Sequence, residues 1–485
     1  MELFRNKYFL VAIFATTLLC IGSIVYSQYV LAIIPAFALL IYFLIHNSYL
    51  YSIVTLVFVS VSIPISYFYA DLGADVYMPS EPMLFLCMIL IVFNIIYTRR
   101  VDLEFLKHPV TIAISIYLFW IFITSITSSM PLVSFKYLLV RLWFIAFFYY
   151  FAYELFKRKS SRIHSWVIIY SFFILIVIGY ALGRQFYYGI EIKKIAYWAA
   201  FPFFKDHTSY GALLAMYIPF LIGYSFSSVM AKKYRPVFMA VLLVYIVAIV
   251  FSYTRAAWIS LFGAFVLYAL IRFRFKLKTL MLMIVGIVIV SGLLFALFFD
   301  KLEQNKQESS LDFAQHFQSI ANISNDASNM ERINRWKCAY RMFLEKPVFG
   351  YGPGTYMFSY APFQMRRDKT IISTNAGDLG NAHSEYLGTL AESGIVGMLS
   401  FIFLIFIVSY VAIRAYNRSV SSLHRFWVMG AFIGLATYYS HSLVNNFLDV
   451  DKIALPFWSF IAIIVYVDNQ SRSEVVTKET PLPIE

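Results

Sequence analysis

The stretch YFLVAIFATTLLCIGSIVYSQYVLAIIPAFALLIYFLI (residues 8–45) decides the class of this protein. It contains no charged residue and is long enough for two membrane-spanning helices, because about 20 apolar residues cross the hydrocarbon core. The rest of the chain is similar: 61% of its 485 residues are hydrophobic and 13% are charged, against about 25% charged residues in soluble domains. We therefore expect an all-α polytopic integral membrane protein.

Charged residues and turn signals divide this apolar sequence into about 14 spans, within a range of 12–14. The predicted spans are residues 8–26, 29–46, 49–69, 82–98, 110–128, 132–154, 163–183, 207–230, 237–253, 255–271, 279–299, 395–413, 426–446 and 453–467. Residues 1–299 thus hold helices 1–11, and residues 395–467 hold helices 12–14. Between them, residues 300–394 mix acidic and basic residues, which predicts a mainly helical domain outside the membrane. Residues 468–485 form a polar tail that we expect to be disordered.

The distribution of Lys and Arg predicts the orientation in the membrane. With the N-terminus inside, the short cytoplasmic segments carry 21 basic residues and the short outer segments carry six. This bias follows the positive-inside rule, so we expect both termini in the cytoplasm and residues 300–394 on the outer face. The formal net charge of +13 therefore reflects topology, and we expect membrane lipids, not nucleic acid, as partners.

Metal-binding patterns are weak in this sequence. The cysteines Cys20, Cys87 and Cys338 are scattered, which leaves neither a disulfide framework nor a zinc cluster. Asp449 and Asp451 form a DxD pair, a signature of metal–nucleotide sites, but the predicted topology places the pair outside, where nucleotides are scarce. We interpret the pair as a loop between helices and expect no metal and no cofactor.

Cations in the outer half of the membrane are costly and therefore candidates for function. Lys136 and Arg141 lie near the outer end of the sixth span, and Lys136 is equally explained by snorkelling. Arg141 lies deeper, where snorkelling is harder, so we favour a functional role over structural pairing with a neighbouring helix. Arg255 lies in FSYTRAAW (residues 251–258), where two uncharged segments meet at the outer face. Its planar guanidinium matches phosphate oxygens and stays charged, so we favour anion binding over a simple turn charge.

The predicted outer domain contains an amphipathic helix, ERINRWKCAYRMF (residues 331–343). Arg332 and Trp336 share one face of it, four residues apart, and Arg335 is a further candidate on the same helix. The sequence GYGPG (residues 350–354) follows, but it lacks the pattern of a phosphate-binding loop, so we favour a structural turn over an anion site.

Four histidines fall outside or in the outer half of the membrane, and one of them, His316, lies in a polar stretch where we expect no role. The candidate acid–base groups are His207, His383 and His441. His383 opens the sequence HSEYL (residues 383–387) just before the chain re-enters the membrane. A neutral imidazole there can take a proton from a hydroxyl group. With an ordinary pKa, such a base would lose activity as the pH falls through about 6–7.

These residues together resemble the O-antigen ligase and polymerase superfamily of bacterial polysaccharide assembly. The resemblance rests on the order of four patches: SYTRAAW (residues 252–258), Arg332 with Trp336 leading into PVFGYGPG (residues 347–354), HSEYL, and ESGIVG (residues 392–397). Ser384 stands where the family often has Asn. The resemblance implies a GT-C-like membrane glycosyltransferase that is metal-independent, inverting, and active on the periplasmic face of the bacterial inner membrane.

The resemblance also implies roles for individual residues. The donor would be a glycan on undecaprenyl diphosphate, held by Arg255 and Arg332 with Arg141 as a third candidate, and His383 would activate the acceptor. Further candidates are Lys136, His207, Arg335 and His441. The acceptor would be the lipid A–core oligosaccharide in a ligase, a second lipid-linked repeat in a polymerase, or a protein hydroxyl in a protein O-oligosaccharyltransferase. We favour the ligase, because the outer domain is modest in size and lies between the late spans; the competing class is a lipid-linked glycan flippase.

Overall fold

The computed structural model describes residues 47–67, 76–99, 101–273, 327–370, 373 and 380–479. These parts of the chain are almost entirely helical, which confirms the predicted all-α class. Their one small sheet pairs Ile63–Pro64 with Tyr77–Met78 in antiparallel register. Nine of the described helices are long and apolar enough to cross a membrane.

The helices of the described residues are numbered here in chain order. They are α1 (Ser48–Val61), α2 (Ser80–Thr98), α3 (Pro109–Ile126), α4 (Pro131–Arg158, with a π-helical stretch at Ile145–Phe151), α5 (Arg162–Tyr188), α6 (Lys193–Ala199), α7 (His207–Phe226), α8 (Arg235–Phe251), α9 (Arg255–Arg272), α10 (Ala327–Glu345), α11 (Glu385–Arg418), α12 (Ser422–His441) and α13 (Asp451–Glu479). Shorter helical turns lie at Ile65–Tyr67, Leu103–Leu106, Lys232–Tyr234, Tyr356–Ser359, Ala361–Phe363 and Arg366–Asp368.

The predicted spans agree with these helices in most places. The spans predicted at residues 8–26, 29–46 and 279–299 lie outside the described residues, and each of the others contains a helix. The span predicted at residues 49–69 is too long, because α1 ends at Val61 and the chain then enters the small sheet. Pro64 explains this end, since proline has no N–H to donate and disfavours helical backbone at the residue before it.

The C-terminal helix is longer than the sequence predicts. Residues from 468 onward were expected to be a disordered polar tail, but α13 continues to Glu479. Asp468 is buried, forms an ion pair with Arg414 at 2.6 Å, and lies within hydrogen-bond distance of His108 Nε2 at 3.3 Å. These contacts fix the helix at the point where its apolar sequence ends, so the expectation of disorder is wrong for residues 468–479.

Helix α13 forms the centre of the bundle. It is buried on all sides from Asp451 to Val467 and packs against α4, α11 and α12. Helix α7 is the second buried helix and packs against α8 and α12. Gly430 and Gly434 of α12 permit this close approach: a Cβ at Gly430 would lie 2.6 Å from the ring of Phe220, and one at Gly434 would lie 2.6 Å from the carbonyl oxygen of Met216. Small residues serve the same purpose in other membrane helix pairs.

Several helix ends meet at one end of the bundle, which we call the site end. The N-termini of α7, α9, α11 and α13 lie there, and hydrogen bonds join them across the fold. Thr254 Oγ1 donates to the carbonyl of His207 at 2.9 Å, and the N–H of Glu385 donates to the carbonyl of Ser442 at 3.0 Å. Side chains that are distant in sequence therefore come together here.

The glycine-rich turn is part of the scaffold at the site end. The N–H groups of Tyr351 and Gly352 donate to the carbonyls of Ala391 and Glu392, next to a kink in α11 at Gly394 (φ +66°). A Cβ at Gly350 would lie 2.3 Å from the backbone of Glu392. Since the turn is packed against protein backbone, the structural interpretation of GYGPG is supported.

Candidate active site

His383 lies in the connection that leads into α11 and is held through its backbone. Its N–H donates to Asn381 Oδ1 at 3.1 Å, and its carbonyl accepts a hydrogen bond from Trp336 Nε1 at 3.1 Å. Its φ of +49° is unusual for a residue with a side chain, and such backbone strain is frequent at functional sites. The next residue, Ser384, caps α11 through a hydrogen bond from the N–H of Leu387. Asn is an equally good N-cap, so either Ser or Asn can cap the helix at position 384.

The ring of His383 begins a chain of polar contacts. The side chain of Asn445 lies near this ring and raises its pKa, and Asn445 Nδ2 contacts His441 Nε2 at 3.0 Å. In the described part of the chain, no hydrogen bond reaches the buried Nδ1 atom of His383. A buried nitrogen without a partner is costly, and a bound hydroxyl group would supply the missing contact.

The electrostatic surroundings keep His383 neutral. Burial, together with the positive charges of Arg332 and Arg335, lowers the pKa of its imidazole to about 4, although Asp206 opposes this shift. The expectation of an ordinary pKa near 6–7 is therefore wrong for the protein without substrate. At neutral pH the imidazole has a lone pair with which to accept a proton, but it is a weak base.

Helix α10 presents two predicted cations in different environments. Arg335 pairs with Glu331 at 2.7 Å and stacks on the ring of Tyr360 at 3.9 Å, so it stabilises the segment between α10 and α11. Arg332, one turn before Trp336, is half-buried and its charge acts on both His383 and His441. Of the two, Arg332 is the arginine that the structure brings to the histidines.

The N-termini of α7 and α9 form the opposite wall. Thr254, the N-cap of α9, donates its hydroxyl to the carbonyl of His207, and α9 has no side-chain cap hydrogen bond. Arg255 is the first residue of α9 and is half-buried. Tyr253, just before it, has φ +52°, a second strained residue beside a predicted site residue. The ring of His207 lies 4.6 Å from that of Tyr197.

The connection between α12 and α13 forms the floor of the site end. The buried Arg141 donates to the carbonyl of Leu448 at 2.9 Å and to the hydroxyl of Tyr137. Glu385 accepts hydrogen bonds from the N–H groups of Phe447 and Leu448, both at 2.9 Å. Two buried charges from α4 and α11 thus hold the backbone of one residue, Leu448.

The remaining predicted residues lie apart from this cluster. Lys136 is exposed on α4, on a different side from the buried Arg141. Asp451 is buried and accepts hydrogen bonds from Ser62 at 2.7 Å and Ser80 at 2.6 Å, which supports the interpretation of the DxD pair as a connection between helices. Among the described residues, no three His, Cys, Asp or Glu side chains are arranged to hold a metal ion.

Sequence reasoning missed three contributors to the site. Glu385 stands within HSEYL and Asn445 follows His441, but neither was considered as a contact of the loop or of His383. The sequence places Trp336 on the face of Arg332 but does not indicate that its indole donates to the carbonyl of His383. Glu385 and Asn445 could have been found from the sequence, because each is a polar residue close to a candidate histidine.

The segments that meet at the site end match a known family. Residues 238–402 match the model of the O-antigen ligase family, a stretch that includes Arg255, Arg332 and His383. The chain matches no curated protein. The predicted resemblance to the O-antigen ligase and polymerase superfamily is therefore confirmed over residues 238–402.

Proposed function

We propose that the protein transfers a glycan from undecaprenyl diphosphate to the lipid A–core oligosaccharide at the periplasmic face of the bacterial inner membrane. The observation that carries this proposal is the buried, neutral His383 beside Arg332 at the site end, where Arg255 begins α9 next to the hydrogen bond between Thr254 and His207. Cations beside a neutral imidazole suit a reaction in which a diphosphate leaves and a hydroxyl group loses its proton. The frame around this site is a GT-C-like bundle of about 14 helices.

The donor diphosphate binds between the N-terminus of α9 and α10. Helix α9 offers the positive end of its dipole without a side-chain cap, and Arg255 adds a planar cation at the same point. Arg332 approaches from α10. Arg141 is buried and occupied by Leu448 and Tyr137, so it acts by holding the floor of the site rather than by direct contact with phosphate.

His383 accepts the proton of the acceptor hydroxyl. The hydroxyl oxygen forms a bond with the anomeric carbon of the donor glycan, and the bond between that carbon and the phosphate oxygen breaks. The bonding electrons leave with undecaprenyl diphosphate, whose negative charge Arg255 and Arg332 stabilise. The attack occurs on the face opposite the leaving group, so the configuration at the anomeric carbon inverts.

Donor binding strengthens the base. Arg332 and Arg335 lower the pKa of His383, and a diphosphate bound beside them neutralises part of their charge. The pKa of His383 then rises from about 4 toward neutrality. His383 is therefore a weak base until the donor is bound.

Transfer by the purified protein tests this function. Wild-type protein in detergent is incubated with undecaprenyl-diphosphate-linked glycan and, in separate reactions, with lipid A–core, a second lipid-linked repeat or a hydroxyl-bearing peptide. We expect glycan on lipid A–core; product only on one of the other acceptors would assign a polymerase or a protein O-oligosaccharyltransferase. Transbilayer movement of the donor without any transfer would indicate a flippase.

Arg255→Lys is the sharpest single change in this assay. Lysine keeps the charge but loses the bidentate fork, so transfer should fall by roughly tenfold or more with every acceptor, because all share the donor. Arg367→Lys is the matched control, since Arg367 lies between α10 and α11 with a side chain that is 71% exposed. Equal rates for the two variants would leave Arg255 as a structural turn charge.

A further inference from the structure

The connection at the floor of the site end carries the acidic residue Asp449, and the backbone beside it is held in place. Leu448 is held from both sides, its N–H by Glu385 and its carbonyl by Arg141. Glu385 is 8% exposed and Arg141 is 2% exposed, so both charges are buried at considerable cost. That cost fixes the backbone immediately before Asp449.

The carboxylate of Asp449 differs from the other acids at this end. Asp206 accepts hydrogen bonds from the N–H groups of Thr208 and Ser209 as the cap of α7. Glu385 and Asp451 are likewise occupied by protein donors. In the described part of the chain, no side chain bonds to Asp449, and its side chain is open to solvent.

Asp449 nevertheless lies inside the polar cluster. The charges of Arg141, Lys205 and Asp206 act on it, and Asp206 also acts on His383. Its surroundings withdraw enough water to raise the pKa of its carboxyl above the usual value. Asp449 directly follows Leu448, whose N–H bonds to Glu385 two residues after His383, so an accessible carboxylate lies on the loop that contacts the segment of His383.

We infer that Asp449 is a carbohydrate-binding residue whose carboxylate accepts hydrogen bonds from hydroxyl groups of the acceptor sugar. A carboxylate has only hydrogen-bond acceptors and repels a diphosphate, so the natural partner of Asp449 is a neutral hydroxyl donor. The fixed backbone at Leu448 lowers the entropy lost on binding. This inference rests on the proposed glycan transfer, because it names the group that holds the second substrate.

Asp449→Asn tests the inference, since asparagine keeps the size of the side chain and loses its charge. With lipid A–core as the variable substrate, we expect the KM for this acceptor to rise roughly tenfold or more, with kcat and the KM for the donor close to wild type. Glu191→Gln, an exposed acid in the outer connection before α6, is the matched control and should leave all three unchanged. An unchanged acceptor KM, or a loss confined to kcat, would overturn the inference.

Direct binding separates this inference from the proposed function. Lipid A–core is titrated calorimetrically into wild type and Asp449→Asn without donor, after both show the same melting temperature. Weaker binding by Asp449→Asn supports the inference even if transfer is not observed. Equal binding overturns it, whereas a wild type that transfers no glycan to any acceptor overturns the proposed function.

Discussion

At the scale of single residues, His383 combines a strained backbone with a ring that has an unused nitrogen. Trp336 and Asn381 hold its backbone, so the ring is positioned before substrate arrives. We predict that His383→Ala lowers glycan transfer by about 10²–10⁴-fold, the usual contribution of a general base, while binding of the donor is retained. Single-turnover transfer and donor binding, measured on the same preparation, check this.

The neighbouring histidines provide the comparison for this prediction. His207→Ala and His441→Ala should keep substantially more activity than His383→Ala, because neither has the strained backbone of His383. If His383→Ala turns over normally and one of the others is inactive, the base is misassigned. Chelation by EDTA should leave the wild-type rate unchanged, since no step proposed here uses a metal.

The pH dependence follows from the same surroundings. The pKa of His383 is lowered to about 4, so the neutral, active form persists as the pH falls and is lost only as the pH approaches this value. We predict a flat kcat/KM for the donor between about pH 5 and 7, because this parameter reports the enzyme before the donor binds, whereas donor binding raises the acid limb seen in kcat. Arg332→Gln should move the acid limb of kcat/KM upward; a wild-type limb at about 6–7 would contradict the lowered pKa.

The sequence predicted which residue types matter but not which face each one occupies. Lys136 and Arg141 were treated together, yet five residues of helix separate their directions by about 140°. One is exposed and the other buried. The sequence predicts only a loop at Asp449. Its place in the site depends on the bonds of Leu448 to Glu385 and Arg141, which are far away in sequence.

At the scale of elements, the junction between the glycine-rich turn and the kink of α11 holds His383 and α10 in register. Gly394 has φ +66° and ψ −170°, a region open in practice only to glycine, and a Cβ would lie 2.0 Å from the carbonyl oxygen of Val348. We predict that Gly394→Ala destabilises the protein by about 2–4 kcal/mol. Thermal unfolding in detergent measures the effect.

Gly179→Ala is the control for this change. Gly179 lies within α5, and a Cβ there would meet nothing within 4 Å. Alanine should therefore be neutral or stabilising by up to about 1 kcal/mol, because it has the higher helix propensity. Equal melting temperatures for the two variants would show that the kink is not constrained as described.

Periodicity in the sequence located most helices but misplaced several ends. Helix α1 stops earlier than its apolar sequence because of Pro64, and α13 continues beyond its apolar sequence because Asp468 is paired. Helix α11 begins at Glu385, within the predicted outer domain of residues 300–394. In each case a specific contact or a proline, rather than hydrophobicity, sets the end.

At the scale of the whole molecule, alternate helix ends gather at the site end, and the distribution of Lys and Arg predicts that this end faces the periplasm. Lys233 precedes α8, whose C-terminus lies at the site end beside α9. Arg367 belongs to the outer segment, which Lys337 and Arg341 of α10 hold through the neighbouring Asp368. Lys233 and Arg367 therefore lie at opposite ends of the bundle, although the sequence alone did not specify which loops would pack together.

This arrangement gives a direct test of orientation. Lys233 and Arg367 are both exposed, so cysteines introduced there should react equally with a maleimide in solubilised protein. In intact spheroplasts an impermeant maleimide should label Arg367→Cys, and it should label Lys233→Cys only after the membrane is opened, because basic connections stay in the cytoplasm. Cys87 and Cys338 are buried, and the unmodified chain measures any labelling of native cysteines. Labelling of Lys233→Cys alone in intact spheroplasts would invert the topology and move the site end to the cytoplasm, where a donor awaiting transfer in the periplasm could not reach it.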